Sequence, residues 1–387
     1  MMGKKLAYIG SLGFIGVITT EFGVIGILPQ IAEHYHISVD KAGILLSAFA
    51  LVIALTGPFM TLLMSGFDRH KVMTASIAIF LLTGIISALS PPFWLLVLVR
   101  VLPAFLQPVY IATALSVAVM GSEKKQENQL MGIVFSGISI ASVTTIPFAT
   151  YLASLFTWEY SFMIQALVSA IALCAIYFGL PKMPVAEKRS YGSQLLILKK
   201  PIFLISTAMN FFMISAWFST YSYFAEYLGK AKGMDEKMVS YMLLLFGLIG
   251  VVANWLSGKM LSRNIAGTTA FFLSGTLLIP ILLYFSGTDL TVNILVLLLW
   301  GFLYSPSFLN ASTYMISAAR DSLEFANSLA TSFGNLGVSL GTTAGGWIIA
   351  TRGVTDVPWL TFGFGTLALL MIGLRYIYEK KGQSNLN

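Results

Sequence analysis

Charge is scarce in this sequence. Lys, Arg, Asp and Glu make up 10 % of 387 residues, against about a quarter in a soluble globular protein, and 57 % of the side chains are hydrophobic with a mean hydropathy of +0.83. No polar stretch is long enough for an independent water-soluble domain. Cysteine is nearly absent: Cys174 is the only one, which excludes a disulfide scaffold, and its position inside an apolar run predicts a small buried residue. Histidine occurs three times and never at metal-ligand spacing within an apolar run, and His34-x-His36 is read as solvated loop. There is no Gly-x-x-x-x-Gly-Lys-Ser/Thr phosphate loop, so an ATP-driven pump subunit is excluded and no enzyme signature or cofactor is expected.

What the sequence does contain is apolar runs of bilayer-spanning length. A helix needs about 20 apolar residues to cross hydrocarbon, and twelve such runs occur, near 5–30, 42–65, 72–90, 93–120, 129–155, 160–181, 202–227, 238–260, 267–287, 291–318, 326–350 and 357–378. They are longer than the roughly 10-residue alternating strands of a membrane barrel. The predicted fold is therefore an all-α integral membrane protein with twelve transmembrane helices. Seventeen of the 23 Lys and Arg residues fall in alternate loops on one side, and cytoplasmic loops retain positive charge, so both termini are expected in the cytoplasm. The net charge of +7 then reflects topology and anionic lipid heads and not nucleic acid.

The longest polar connection, residues 182–200, divides the chain into 1–181 and 201–387, six runs on each side. An offset of 198 places Pro108 of Gln107-Pro108-Val109-Tyr110 on Pro306 of Ser305-Pro306-Ser307-Phe308. Weak similarity between six-helix halves is a mark of transporters built from repeats.

Several segments carry a family resemblance. The first run reads Thr19-Thr20-Glu21-Phe22-Gly23-Val24-Ile25-Gly26-Ile27-Leu28-Pro29, the turn after the second reads Gly66-Phe67-Asp68-Arg69-His70-Lys71, the fourth run holds Leu96-Val-Leu-Val-Arg100, and the fifth holds Gly132, Gly137 and Ile146-Pro147-Phe148-Ala149. Over its whole length the chain resembles the major facilitator superfamily, and more narrowly the twelve-helix drug/proton antiporters near the bacterial sugar-efflux and arabinose-efflux branch. The resemblance implies two six-helix bundles around a central cavity that the first and fourth helices line, in a multi-pass protein of the cell (plasma or inner) membrane that works as a monomer. It also implies that Asp68, Arg69 and Lys71 gate the conformational change; by themselves they read as positive-inside anchoring.

Ionisable residues at membrane depth are costly and default to function. Two lie well inside a run, Glu21 and Arg100, with Glu226 near the end of the seventh. Glu21 is eight residues before Pro29 and Arg100 six after Trp94, similar depths of about 12 and 9 Å, and the resemblance implies that both helices line the central cavity, so the two are expected to interact directly or through water. Burial favours a neutral carboxylate and a nearby guanidinium a charged one, a balance that suits proton coupling. The competing readings are a static ion pair and, for Arg100, a helix-to-carbonyl clamp.

Candidates for substrate contact are the polar and aromatic residues at mid-membrane depth: Gln107, Tyr110, Gln165, Asn210, Trp217, Tyr221, Asn254, Tyr304, Asn310 and Asn335. An aromatic share of 13 % and 17 methionines favour an adaptable apolar pocket for small amphipathic compounds. The resulting expectation is a proton-coupled antiporter that exports such compounds or drugs. A sugar or nucleoside exporter, or a proton-coupled importer of the same fold, is the alternative. Gly337, Gly341 and Gly345, four residues apart, predict close helix packing, as do Gly10, Gly13 and Gly16.

Overall fold

The computed structural model describes residues 2–120, 124–181, 197–319 and 323–384; residues 182–196 of the expected linker lie outside the described residues. Every regular element among them is helical: α1 (Met2–Phe22), α2 (Leu28–His34), α3 (Val39–Ala42), α4 (Ile44–Met64), α5 (Arg69–Ala88), α6 (Phe93–Ala104), α7 (Gln107–Ala118), α8 (Lys124–Val143), α9 (Thr145–Leu155), α10 (Glu159–Gly179), α11 (Pro201–Tyr221), α12 (Phe224–Glu226), α13 (Glu236–Leu261), α14 (Ile265–Thr276), α15 (Leu278–Phe285), α16 (Leu290–Tyr304), α17 (Ser307–Ile316), α18 (Leu323–Arg352) and α19 (Pro358–Ser384). Ten helical stretches among the described residues are long and apolar enough to cross a membrane. The predicted runs 5–30 and 326–350 fall on α1 and α18, which are helical but outside those ten. Lys4, Lys5 and Glu21 dilute the first, and a series of Gly, Ser, Thr and Asn dilutes the second.

Several spans are broken near their middle, and the breaks follow local chemistry. Proline lacks the N–H that an inner helical turn needs, and α6 ends just after Pro103 while α17 begins just after Pro306. The first span breaks between Phe22 and Leu28, where Gly23 and Gly26 allow neighbours closer than any side chain would. A Cβ on Gly23 would meet Gln165 Nε2 at 3.0 Å, and one on Gly26 would strike the Thr150 side chain.

The chain forms two compact units. The first comprises Met1–Ile37, Thr56–Ser190 and Asp235–Leu244, the second Ser38–Leu55, Tyr191–Met234 and Leu245–Asn387. In the first, α1 packs against α5, α7, α8, α9 and α10. Tyr110 of α7 is fully buried, and its hydroxyl donates to the Gly10 carbonyl at 3.0 Å over the space that Gly13 leaves open. In the second, α11 holds the corresponding place against α17, α18 and α19. The glycine stripe makes that contact: Cβ atoms on Gly337 and Gly341 would stand 2.7 and 2.6 Å from the carbonyl oxygens of Phe211 and Ser215, and one on Gly345 would collide with that of Ser219.

The outward faces are apolar, with Phe59 at 74 % and Phe178 at 82 % exposure, as expected where lipid is the solvent. Cys174 corrects the sequence reading: it is exposed on α10. Hydrophobicity predicts burial only against water, and in a bilayer an apolar side chain is equally satisfied by acyl chains.

Candidate functional site

Glu21 lies in the last turn of α1, immediately before the break, and is 4 % exposed. Its Oε2 accepts a hydrogen bond from Gln107 Nε2 at 2.5 Å. Gln107 can reach it because the fourth span breaks after Pro103 and restarts with Gln107 as the first residue of α7. Arg100, one turn before that break and 2 % exposed, donates from Nη2 to the Thr20 carbonyl at 2.9 Å. Thr20 is among the last four residues of α1, whose carbonyls an isolated helix leaves without donors, and a cation there also meets the negative end of the helix dipole. Arg100 thus clamps the broken end of α1 at Thr20, the residue before Glu21. The Phe162 ring lies under the guanidinium at 5.5 Å.

Around this pair the first unit supplies further polar groups. The hydroxyls of Thr19 and Thr145 are 2.5 Å apart, joining α1 to the break between α8 and α9. Ser161 of α10 donates to the Gly23 carbonyl at 3.4 Å, and Gln165 Nε2 reaches Ser161 Oγ at 3.5 Å. The side-chain oxygens Oε1 of Gln107 and of Gln165 are buried with no hydrogen-bond partner among the described residues.

The other predicted residues divide by what already occupies them. Tyr110 is spent on helix packing. Asn310 exchanges hydrogen bonds with Ser257 at 3.0 and 3.3 Å and also donates to the Pro306 carbonyl. Asn254 bonds the Gly250 carbonyl of its own helix, and Tyr304 is buried against Trp300. Tyr221 stacks on Phe246 at 5.1 Å. By contrast Asn210, Trp217 and Asn335 each keep a buried polar atom without a partner among the described residues.

Asp68 is the N-cap of α5 and accepts from the Lys71 backbone N–H at 3.1 Å, while Arg69 Nη1 lies 3.5 Å from the Met120 sulfur. Glu226 is buried and pairs with exposed Lys230 at 2.6 Å. His34 packs its ring against Tyr35 and Trp158 and lies 3.3 Å from Ser90 Oγ. Sequence reasoning named Glu21, Arg100 and Gln107 but did not join Gln107 to Glu21, and it did not count Thr19, Thr145, Ser161 or Phe308 among the site candidates, although Thr19 and Phe308 lie in the motifs quoted above. The offset of 198 that aligns Pro108 with Pro306 also places Phe308 on Tyr110, so the repeat carried a signal for the last of these.

The model of the Major Facilitator Superfamily matches residues 10–342. The chain belongs to that superfamily. It is therefore a multi-pass membrane transporter and not an enzyme. It is 28 % identical over 363 residues to the Inner membrane transport protein YdhP of Escherichia coli (strain K12), covering 94 % of this chain and 93 % of that protein. It is 27 % identical to a probable sugar efflux transporter of Pasteurella multocida (strain Pm70), with 92 % and 89 % covered. Among solved structures, the nucleoside transporter NupG superposes with a TM-score of 0.72 at 13 % identity, covering 97 % of this chain and 98 % of that one. The human organic anion transporter MFSD10 gives 0.69 at 15 % identity, with 96 % and 99 % covered. At those identities the likeness is one of fold.

Proposed function

We propose that this chain is a proton-coupled antiporter of the cell inner membrane that exports small amphipathic compounds by alternating access. In this reading it has twelve spans with both termini in the cytoplasm, halves at 1–181 and 201–387 joined by 182–200, and it acts as a monomer without metal or cofactor. The observation that carries the reading is Glu21, a carboxylate buried at the broken end of α1 and held by Gln107 beside the Arg100 clamp. An ionisable group kept inside a membrane span at this cost is a proton-relay candidate, and broken helices at membrane depth are where secondary transporters place substrate and ion sites. Glu21 takes a proton from one side and releases it to the other. Gln107 orients the carboxylate, Arg100 holds the backbone, and Asp68, Arg69 and Lys71 gate the change.

A second reading, sugar export, has specific support. Relatives in Pasteurella multocida and Helicobacter pylori are named probable sugar efflux transporters, and the amide oxygens of Gln107, Gln165, Asn210 and Asn335, buried without a partner among the described residues, suit hydroxyl donors. Purified protein in proteoliposomes, screened against amphipathic compounds and sugars with and without an imposed pH gradient, tests both. Flux indifferent to the gradient in every case would overturn proton coupling, and gradient-driven accumulation in the opposite sense would make the chain an importer.

A further inference from the structure

Where α18 gives way to α19, the second unit frames a cavity of about 330 Å³ lined by Ile348, Arg352, Asp356, Trp359 and Leu360. Small-molecule sites begin at roughly this size, about 300–1,000 Å³. Two of the lining side chains are charged, and their signs are opposite. Arg352 is the last residue of α18 and Asp356 stands four positions on, the spacing at which an arginine and a carboxylate pair on a continuous helix. They do not pair here. Among the described residues, neither side chain takes part in an ion pair or a hydrogen bond, and the last turn of α18 is capped without the guanidinium, because the Gly353 N–H takes the Ile348 and Ile349 carbonyls.

The backbone keeps the two charges apart. Gly353 takes φ +96°, and a 3₁₀ turn over Val354–Asp356 then leads into α19. That φ favours glycine, and packing does not explain the residue, since nothing lies within 4 Å of the position a Cβ would occupy. Gly353 therefore shapes a turn that presents a cation and a carboxylate to one hollow without joining them. The surroundings point to lipid. Val354–Lys380 is a candidate membrane span, so the cavity lies at the end of a span, at the level of headgroups. Trp347, Trp359 and Tyr284 are exposed there, with the last two rings 6.2 Å apart, and Trp and Tyr gather at that level. From the cavity an exposed apolar face runs along α19 through Phe362, Leu367 and Leu370, with open space at Gly363.

We propose that this cavity binds the headgroup of a phospholipid carrying both a phosphate and a primary ammonium, as in phosphatidylethanolamine. The Arg352 guanidinium donates to the phosphate, a pairing its fork suits. Asp356 accepts from the ammonium, and an acyl chain lies along the exposed face of α19 over Gly363. A headgroup of one sign would leave one of the two side chains without a counter-charge, whereas a zwitterion answers both. The apolar face continuing from the cavity favours a lipid over a free zwitterion, which would leave that face uncovered. The proposal needs only that the chain is a membrane protein, and it holds whether or not transport is coupled to protons.

The test is native mass spectrometry of the full chain in detergent, titrated with dioleoyl phosphatidylethanolamine and, separately, with dioleoyl phosphatidylglycerol, whose headgroup keeps the phosphate and replaces the ammonium with hydroxyls. The first bound lipid should be held about fivefold more tightly when it is the ethanolamine form, the size expected of a solvent-screened, charge-assisted contact. Asp356→Asn should bring that form down to the affinity of the glycerol form and leave the glycerol form as it was. Arg352→Gln should weaken both by about the same factor, and Asp356→Glu, which keeps the carboxylate, should retain the preference. Neither side chain bonds to the protein, so every variant should melt at the wild-type temperature, and lipid contacts elsewhere on the chain are common to all of them. Equal affinity of the wild type for the two lipids, or a preference that survives Asp356→Asn, would overturn the proposal. Displacement of phosphatidylethanolamine by an equal concentration of soluble glycerophosphoethanolamine would overturn it too, by making the ligand a free solute.

Discussion

Gln107 Nε2 donates to Glu21 Oε2 at 2.5 Å, joining the first residue of α7 to the last turn of α1. Two broken helices thus meet at one hydrogen bond, and the carboxylate is oriented by a residue that cannot itself titrate. Replacing Gln107 with leucine keeps the volume and removes the donor. A hydrogen bond to a charged group is worth about 1.5–3 kcal/mol, so gradient-driven flux should fall roughly 10- to 100-fold while Gln107→Asn retains part of it. Normal flux in Gln107→Leu would remove this residue from the mechanism.

Arg100→Ala should reduce transport more than protein abundance. It frees the Thr20 carbonyl at the broken end of α1 and removes the cation beside Glu21. Arg100→Lys should restore only a fraction, because a point-like ammonium on a different stem does not reproduce the guanidinium fork that reaches Thr20 at 2.9 Å. Flux per molecule, measured against surface abundance, separates the two effects, and full activity in Arg100→Ala would end the proposed role.

Hydropathy made the helical runs readable because lipid imposes one requirement on every spanning residue. It could not show where a span breaks: the first run reads as continuous from 5 to 30, yet α1 stops at Phe22, since Gly23 and Gly26 serve neighbours, Gln165 and Thr150, that only the folded chain brings near. Glu21 and Arg100 stood out as isolated charges in hydrocarbon. Their partners did not, because an amide such as Gln107 looks the same in sequence whether it packs, binds substrate or orients a carboxylate. Asn310 shows the opposite outcome: it fits the pattern of a ligand-binding amide, but Ser257 and the Pro306 carbonyl occupy it.

The glycine stripe allows a test of packing alone. A methyl on Gly341 would stand 2.6 Å from the Ser215 carbonyl and 2.9 Å from the Ser219 nitrogen, backbone atoms that cannot rotate away, so α18 would have to move off α11. Overpacking of this kind costs about 1–3 kcal/mol. Gly341→Ala should lower the melting temperature in detergent, whereas Gly363→Ala, with nothing within 4 Å of the added atom, should not. Equal melting temperatures would mean that the two helices pack less closely than the structure has them.

Lys232, outside the candidate spans, donates to the Leu283 carbonyl at 2.7 Å, Ser286 Oγ at 2.8 Å and the Gly287 carbonyl at 3.0 Å, closing the end of α15. Burial pulls its ammonium below the usual lysine value of 10.5. The unfolded chain therefore holds this proton more tightly than the folded one, and stability rises with pH wherever that is so. The contribution is complete above 10.5 and lost as pH falls through the lowered folded value. Lys232→Met should flatten this part of the melting temperature against pH curve; an identical slope in both proteins would show that Lys232 does not produce it.

Glu21→Gln tests the coupling role most directly. The amide imitates a permanently protonated carboxyl and keeps its shape, and its oxygen can still accept from Gln107, so the α1–α7 junction should hold and the melting temperature should stay near wild type. A neutral substrate needs the pocket and not proton release, so it should still bind. Exchange of labelled for unlabelled substrate across the membrane should also survive, because that half-cycle moves no proton. Accumulation driven by a pH gradient should be lost, since a group that cannot release its proton cannot pass the gradient's free energy to the substrate. A cationic substrate would behave differently and bind more weakly, having lost its counter-charge. Measuring equilibrium binding, exchange and gradient-driven flux on the same preparation distinguishes a coupling defect from a folding one. Undiminished gradient-driven flux in Glu21→Gln would exclude Glu21 as the coupling residue and turn attention to Glu226, already paired with Lys230 at 2.6 Å.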